Sequence, residues 1–206
     1  MRMLPTARAF TLVELLIGLV LGAVTLGAAV TILVSYIRTS DNALWQGQAE
    51  QDFGRISRFI KTEINEACLV QVSASPSTTA TLPSTPCTPA SATPCTTTSG
   101  TTLFLLIPIT AANGSVTYRV ISYTRNGTEL RRTGPPITST GSLGTGTDFA
   151  NVVLMDNLTN TSAGFAPTVS SDCTSATMSF SFAIPNSTSS LPKTLTVSVG
   201  SPFMLN

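Results

Sequence analysis

The sequence predicts an α+β protein: one long N-terminal helix, its first half membrane-spanning, packed on an antiparallel β-sheet head. Three observations carry this. Phe10 to Ile37 is an apolar run whose one charged residue is Glu14. Arg38 to Cys68 continues as an amphipathic helical pattern. Beyond Gly100, short segments of alternating apolar and Thr or Ser residues are separated by turn signals. The 206 residues suit one domain with an appendage.

Composition narrows the function classes. Charged residues make up 10 % of the chain, against about 25 % in an average globular protein. There is no His. The surface is therefore built largely from Thr, Ser, Asn and Gly. Loss of a leader carrying Arg2 and Arg8 would leave nine of the eleven basic side chains against ten acidic ones. Such a balance lacks the overall electrostatic footprint of a nucleic-acid binder.

Residues 1–9 read as a removable basic leader. Arg2 and Arg8 precede the apolar run, and basic flanks keep that end of a membrane helix cytoplasmic. At ~1.5 Å per residue, Phe10 to Ile37 is long enough to cross a hydrocarbon core of ~30 Å. A secretory signal has an apolar core of ~7–15 residues followed by its cleavage site. Here the run is longer, and the small residue Ala9 stands before it. An uncleaved single-pass anchor fits the length but not Glu14, because a carboxylate inside such a span costs about 2.5–3.5 kcal/mol. Cleavage between Ala9 and Phe10 would create an α-amine one helical turn from Glu14, at the i, i+4 spacing where side groups meet. In an assembly, a neighbouring subunit's amine would serve equally. Gly18 and Gly22 present small faces that allow helices to approach closely.

The stretch Ala9-Phe-Thr-Leu-Val-Glu-Leu-Leu-Ile17 resembles the class III signal of type IV pilins and type II secretion pseudopilins. The resemblance implies a prepilin peptidase as partner, cutting at Ala9–Phe10 and methylating Phe10. It makes Glu14 the assembly glutamate. Ala9 stands where the family usually carries Gly, and the midway proline of many major pilins is missing. Expected partners are the lipid bilayer, other major and minor pilins or pseudopilins, and an inner-membrane assembly platform. The implied localisation is the bacterial inner membrane with a periplasmic head, then the pilus or pseudopilus. No cofactor is implied.

From residue 38 to 68, Trp45, Ala49, Phe53, Ile56, Ile60, Ile64 and Ala67 recur at steps of three and four and form one stripe. Glu50, Asp52, Arg55, Arg58, Lys61, Glu63 and Glu66 read as lying off it. Ser40 or Asp41 is a candidate cap for a local helix restart. The segment Gln51 to Ala67 is similar to the corresponding helix of PilW-type minor pilins and of J-type pseudopilins.

Residues 69–206 form the predicted head. Its tract 73–100 is rich in Ser, Thr and Pro, has almost no large apolar side chain, and cannot bury enough surface to fold alone. The four cysteines, Cys68, Cys87, Cys95 and Cys173, all follow the apolar span and read as disulfides of an oxidising compartment. Four cysteines allow three connectivities; a Cys87–Cys95 loop with Cys68–Cys173 is the arrangement favoured here. No CxxC pair or ligand cluster suggests a metal.

Expected strands are Leu103 to Ile107, ended or pushed to an edge by Pro108; Val116 to Thr124 and Thr128 to Thr133 around the hairpin signal Asn126-Gly127; Val152 to Leu158; Thr177 to Ile184; and Thr194 to Val199. The order Tyr118-Arg119, Leu130-Arg131-Arg132, Val152 to Leu158 and Leu191 to Val197 also resembles PilW-type and J-type proteins.

Catalytic signals are lacking: there is no His to act as base, no Gly-x-Ser-x-Gly elbow, and Gly144-Thr-Gly-Thr147 has no phosphate-loop Lys. Asp148, Asp156 and Asp172 read as scattered surface acids. Arg119, Arg125, Arg131 and Arg132 form a candidate basic patch for DNA, interrupted by Glu129. The resemblance of the signal and of the helix to pilins therefore implies a minor pilin, PilW-like, of an initiating or tip complex. A J-type minor pseudopilin is the alternative, and a displayed adhesin or DNA-uptake module, contacting DNA or a host surface, the alternative of another class.

Overall fold

The computed structural model describes residues 11–73, 98–110, 114, 116–137, 143–144, 146–185 and 187–199. One α-helix, α1 (Leu12–Glu66), is followed by eight strands and a short 3-10 turn, Ser162–Gly164, among these residues. This is the expected α+β architecture, a long N-terminal helix packed on antiparallel sheet. The chain divides into two compact units, one up to Trp45 and one from Gln46 onward.

The helix passes through Ser40 and Asp41 without a break, so neither caps a restart. No proline interrupts the run, and an uninterrupted ladder of i→i−4 bonds is the cheaper course for the backbone.

Sheet A runs in the order β1 (Leu69–Ser73), β2 (Thr102–Thr110), β3 (Val116–Asn126), β4 (Glu129–Gly134), β5 (Phe149–Met155), all neighbours antiparallel. Sheet B runs β6 (Phe165–Val169), β7 (Ser175–Ala183), β8 (Ser190–Ser198), also antiparallel.

Pro108 neither ends its strand nor places it at an edge, since β2 lies between β1 and β3. The Leu106 carbonyl accepts from the Cys68 N–H on the β1 side at 2.9 Å. Two residues on, Pro108 faces that same side, where the β1 pairing has already ended at Leu106. Its missing N–H therefore costs no ladder bond.

The hairpin is shifted by one residue from the expected turn. Asn126 pairs with Glu129, leaving Gly127 and Thr128 as the two-residue loop. Gly127 has φ +62° and Thr128 is not among the positive-φ residues, the pattern of a loop whose first position demands Gly. Strand β5 likewise starts earlier than expected, at Phe149, while Leu158 makes a separate bridge to Phe182.

The core of the second unit lies between the stripe of α1 and the strands. Ile60, Ile64, Val70, Leu103, Leu105, Ile121, Tyr123, Leu130, Phe165 and Phe180 are almost wholly buried. Phe53 packs edge-on against Phe180, with ring centroids 5.5 Å apart, and against Phe182 at 6.4 Å. At Gly164 an added Cβ would lie 2.1 Å from the Thr159 carbonyl oxygen, so the turn before β6 admits only glycine.

Candidate processing and assembly segment

Ala9 and Phe10 lie outside the described residues. Immediately after them, Thr11 precedes the first helical residue, Leu12. Its hydroxyl oxygen accepts from the Glu14 N–H at 3.3 Å. In return, Glu14 Oε2 accepts from the Thr11 N–H at 3.0 Å and from the Thr11 hydroxyl at 2.9 Å. This is a capping box, in which residues three apart satisfy one another's unpaired backbone donors at a helix start. The Thr-x-x-Glu spacing was present in the sequence, and the reading of Glu14 as solely an assembly group overlooked it. Both bonds to the carboxylate fall on Oε2, so Oε1 has no partner among the described residues.

The helix that follows is exposed on every side. Leu12, Leu19, Leu26 and Ile32 are each about two-thirds or more exposed, and large apolar positions between them on other faces are at least half exposed. Its length and composition suffice for a membrane crossing. The hydroxyls along it satisfy themselves. Thr25 donates to the Leu21 and Gly22 carbonyls at 3.0 and 2.9 Å, and Thr31 to the Gly27 carbonyl at 2.9 Å. Bonding back to the preceding turn removes the cost of a bare hydroxyl in an apolar solvent. Gly18 and Gly22 have nothing within 4 Å of an added Cβ, so both lie on open faces.

Residues 5–30 match the prokaryotic N-terminal methylation motif. This type IV pilin-like prepilin signal supports a place in the pilin and pseudopilin superfamily. It implies processing by prepilin peptidase and assembly with other pilins. It points to a structural protein processed as a substrate rather than to an enzyme. Together with the apolar helix it fits an inner-membrane-anchored pilin that enters a pilus. Comparison with curated proteins and with solved structures finds no match.

The other candidate residues are dispersed. Cys68 and Cys173 are both disulfide-bonded; Cys87 and Cys95 lie outside the described residues, as does most of the tract 73–100. Asp148 pairs with Arg119, Asp156 accepts from the Asn157 amide, and Asp172 accepts from Ser170 and Thr174. The Ser170 and Thr174 bonds hold the Asp172 carboxyl below its usual range.

The four arginines of the candidate DNA patch are each engaged at home. Arg119 bonds Asp148 and the Gly146 carbonyl, Arg125 the Gly127 carbonyl and Asn160, and Arg131 Glu129. Arg132 is buried. Its Nε donates to both oxygens of Glu63 at 3.0 and 3.2 Å, its Nη2 to Oε1 at 2.7 Å, and its Nη1 to the Pro135 carbonyl at 3.1 Å. Tyr123 donates its hydroxyl to Glu63 Oε2. The guanidinium carbon also lies 5.9 Å from the centroid of the Phe59 ring.

Glu63 is only 4 % exposed, which corrects its expected place off the apolar stripe. Spacing puts it on the stripe, three residues after Ile60 and four before Ala67; its charge alone suggested otherwise. Burial raises the Tyr123 hydroxyl well above its usual range, and the Glu63 charge and hydrogen bond push it the same way. Burial works to lower Arg132, but the bonds and charge of Glu63 outweigh it and the net direction is upward. Both groups therefore stay protonated at neutral pH.

Proposed function

We propose that the protein is a minor pilin, PilW-like, which enters the initiating or tip complex of a type IV pilus. In this reading the leader 1–9 is removed at Ala9–Phe10 and Phe10 is methylated. Residues 10–37 then serve first as an inner-membrane anchor and later as the packing helix of a filament. Residues 38–68 carry the anchor into the head, and residues 69–206 form a periplasmic, disulfide-tied head. The observation that carries the reading is the methylation-motif match over residues 5–30, on an exposed apolar helix that retains Glu14.

In this reading Glu14 has two roles. Oε2 is occupied by the capping box, and a neighbouring subunit's N-terminal amine takes Oε1. The carboxylate is then partly satisfied before assembly and fully paired after it, which offsets the cost of a charge in lipid. Gly18 and Gly22, open in the single chain, let neighbouring helices approach.

The test is to express full-length protein and a Glu14→Ala variant in a piliated bacterium lacking the native copy. Membrane insertion should be retained in the variant while pilus assembly and co-purification of other pilins decline. Filaments formed at the normal level by the variant would overturn the assembly role of Glu14. An intact leader on the recovered wild-type protein would overturn the processing step itself. A secretion defect without a piliation defect on deletion would assign the chain to a J-type pseudopilin instead.

A further inference from the structure

We infer that the buried Glu63–Arg132–Tyr123 cluster selects one register of helix α1 on the head. The centre of the apolar stripe is poorly suited to that task. Ala49, Phe53, Ile56, Ile60, Ile64 and Ala67 repeat at three and four residues. A slide of four residues, about 6 Å along the axis, keeps isoleucine at the two central positions of the stripe: Ile60 takes the place of Ile56, and Ile64 that of Ile60. Hydrophobic burial is non-directional and discriminates weakly between such placements.

The cluster discriminates sharply. In the slid arrangements Phe59 or Ala67 would stand where Glu63 meets Arg132. The guanidinium would lose the three contacts it makes to the carboxylate at 2.7–3.2 Å. Arg132 is 4 % exposed and belongs to β4, so it cannot follow the helix or reach water. Tyr123, fully buried on β3, would lose its acceptor as well. In the observed register every buried side-chain nitrogen and oxygen among the described residues has a partner. A single polar group on a repetitive apolar face is the arrangement by which helices specify register. The consequence is fixed outward display: Asp52, Arg55, Arg58 and Lys61 are among the side chains of this stretch that face solvent and that neighbours meet.

The test compares full-length protein in detergent micelles, with labelled phenylalanine, in three forms: wild type, Glu63→Met with Arg132→Met, and the exchange Glu63→Arg with Arg132→Glu. Contact between the Phe53 and Phe180 rings is the register marker. The wild type should show one set of Phe53 signals with cross-peaks to Phe180. The double methionine variant, in which the buried Tyr123 hydroxyl also loses its acceptor, should still melt cooperatively, within about 12 °C of wild type, yet show multiple Phe53 signals or weakened Phe180 cross-peaks. The exchanged pair should restore a single set. A double methionine variant with one wild-type set overturns the inference. So does one that fails to fold, because the cluster would then be a source of stability. An exchanged pair as heterogeneous as the double methionine variant overturns it too.

Discussion

Replacing Arg132 alone by Met separates a buried ion pair from an exposed one a single residue away. Arg132 makes three contacts to Glu63 and one to the Pro135 carbonyl, and both partners of the ion pair are about 95 % buried. Met fills much of the volume but leaves Glu63 buried with only the Tyr123 hydroxyl. Breaking one side of a buried pair costs about 3–5 kcal/mol, because the remaining charge is uncompensated. For a unit of this size the melting temperature should fall by roughly 6–20 °C, at about 2–4 °C per kcal/mol. The internal control is Arg131→Met. Its pair with Glu129 is about one-third exposed on both sides, and such pairs contribute about 0–1 kcal/mol. Thermal melts followed by circular dichroism on the two full-length variants give the comparison. Equal, small shifts for both would refute the view that burial separates their energetics.

Three further outcomes are expected. Tyr123 has its ionisation raised in the folded state, so its contribution is fully present below the unfolded value of about 10 and is lost as pH climbs toward the folded one. Unfolding titrations above pH 10 should therefore lose about 1.4 kcal/mol per pH unit from this group, and Tyr123→Phe should flatten that limb. Gly164→Ala should destabilise the head by about 1–3 kcal/mol through overpacking, because the new methyl meets the Thr159 carbonyl at 2.1 Å; a shift in denaturant midpoint at constant slope is the readout. Reduction of the disulfides that hold Cys68 and Cys173 should lower stability by about 2–5 kcal/mol per bridge lost, read as a lower melting temperature in reductant.

Much of this protein is written locally. The apolar run with Glu14, the stripe on α1, and the alternation of Met178, Phe180 and Phe182 in β7 are each readable within a dozen residues. Each is a periodicity set by the backbone geometry of one element. Short segments were less legible. Strand β1, Leu69–Ser73, stands between a helix and a polar tract, and β6, Phe165–Val169, carries Pro167. Neither shows enough alternation to stand out, and both exist because a neighbouring strand is there to pair with them.

The interior polar cluster lay furthest from view. Glu63 and Arg132 each sit on an apolar face by spacing, Glu63 between Ile60 and Ala67 and Arg132 two residues after Leu130. Charge argued for the outside in both cases, since a lone buried charge is prohibitive. What made burial acceptable was the other residue, 69 positions away in the chain. The sequence by itself determined the helix, its membrane-competent half, the Thr11–Glu14 start and the antiparallel strands, because those follow from local backbone geometry. Only the tertiary structure decided that four arginines near one hairpin would be spent on internal partners, and that two opposite charges would meet inside the core. A pair energy exists only once the fold has brought both partners out of water together.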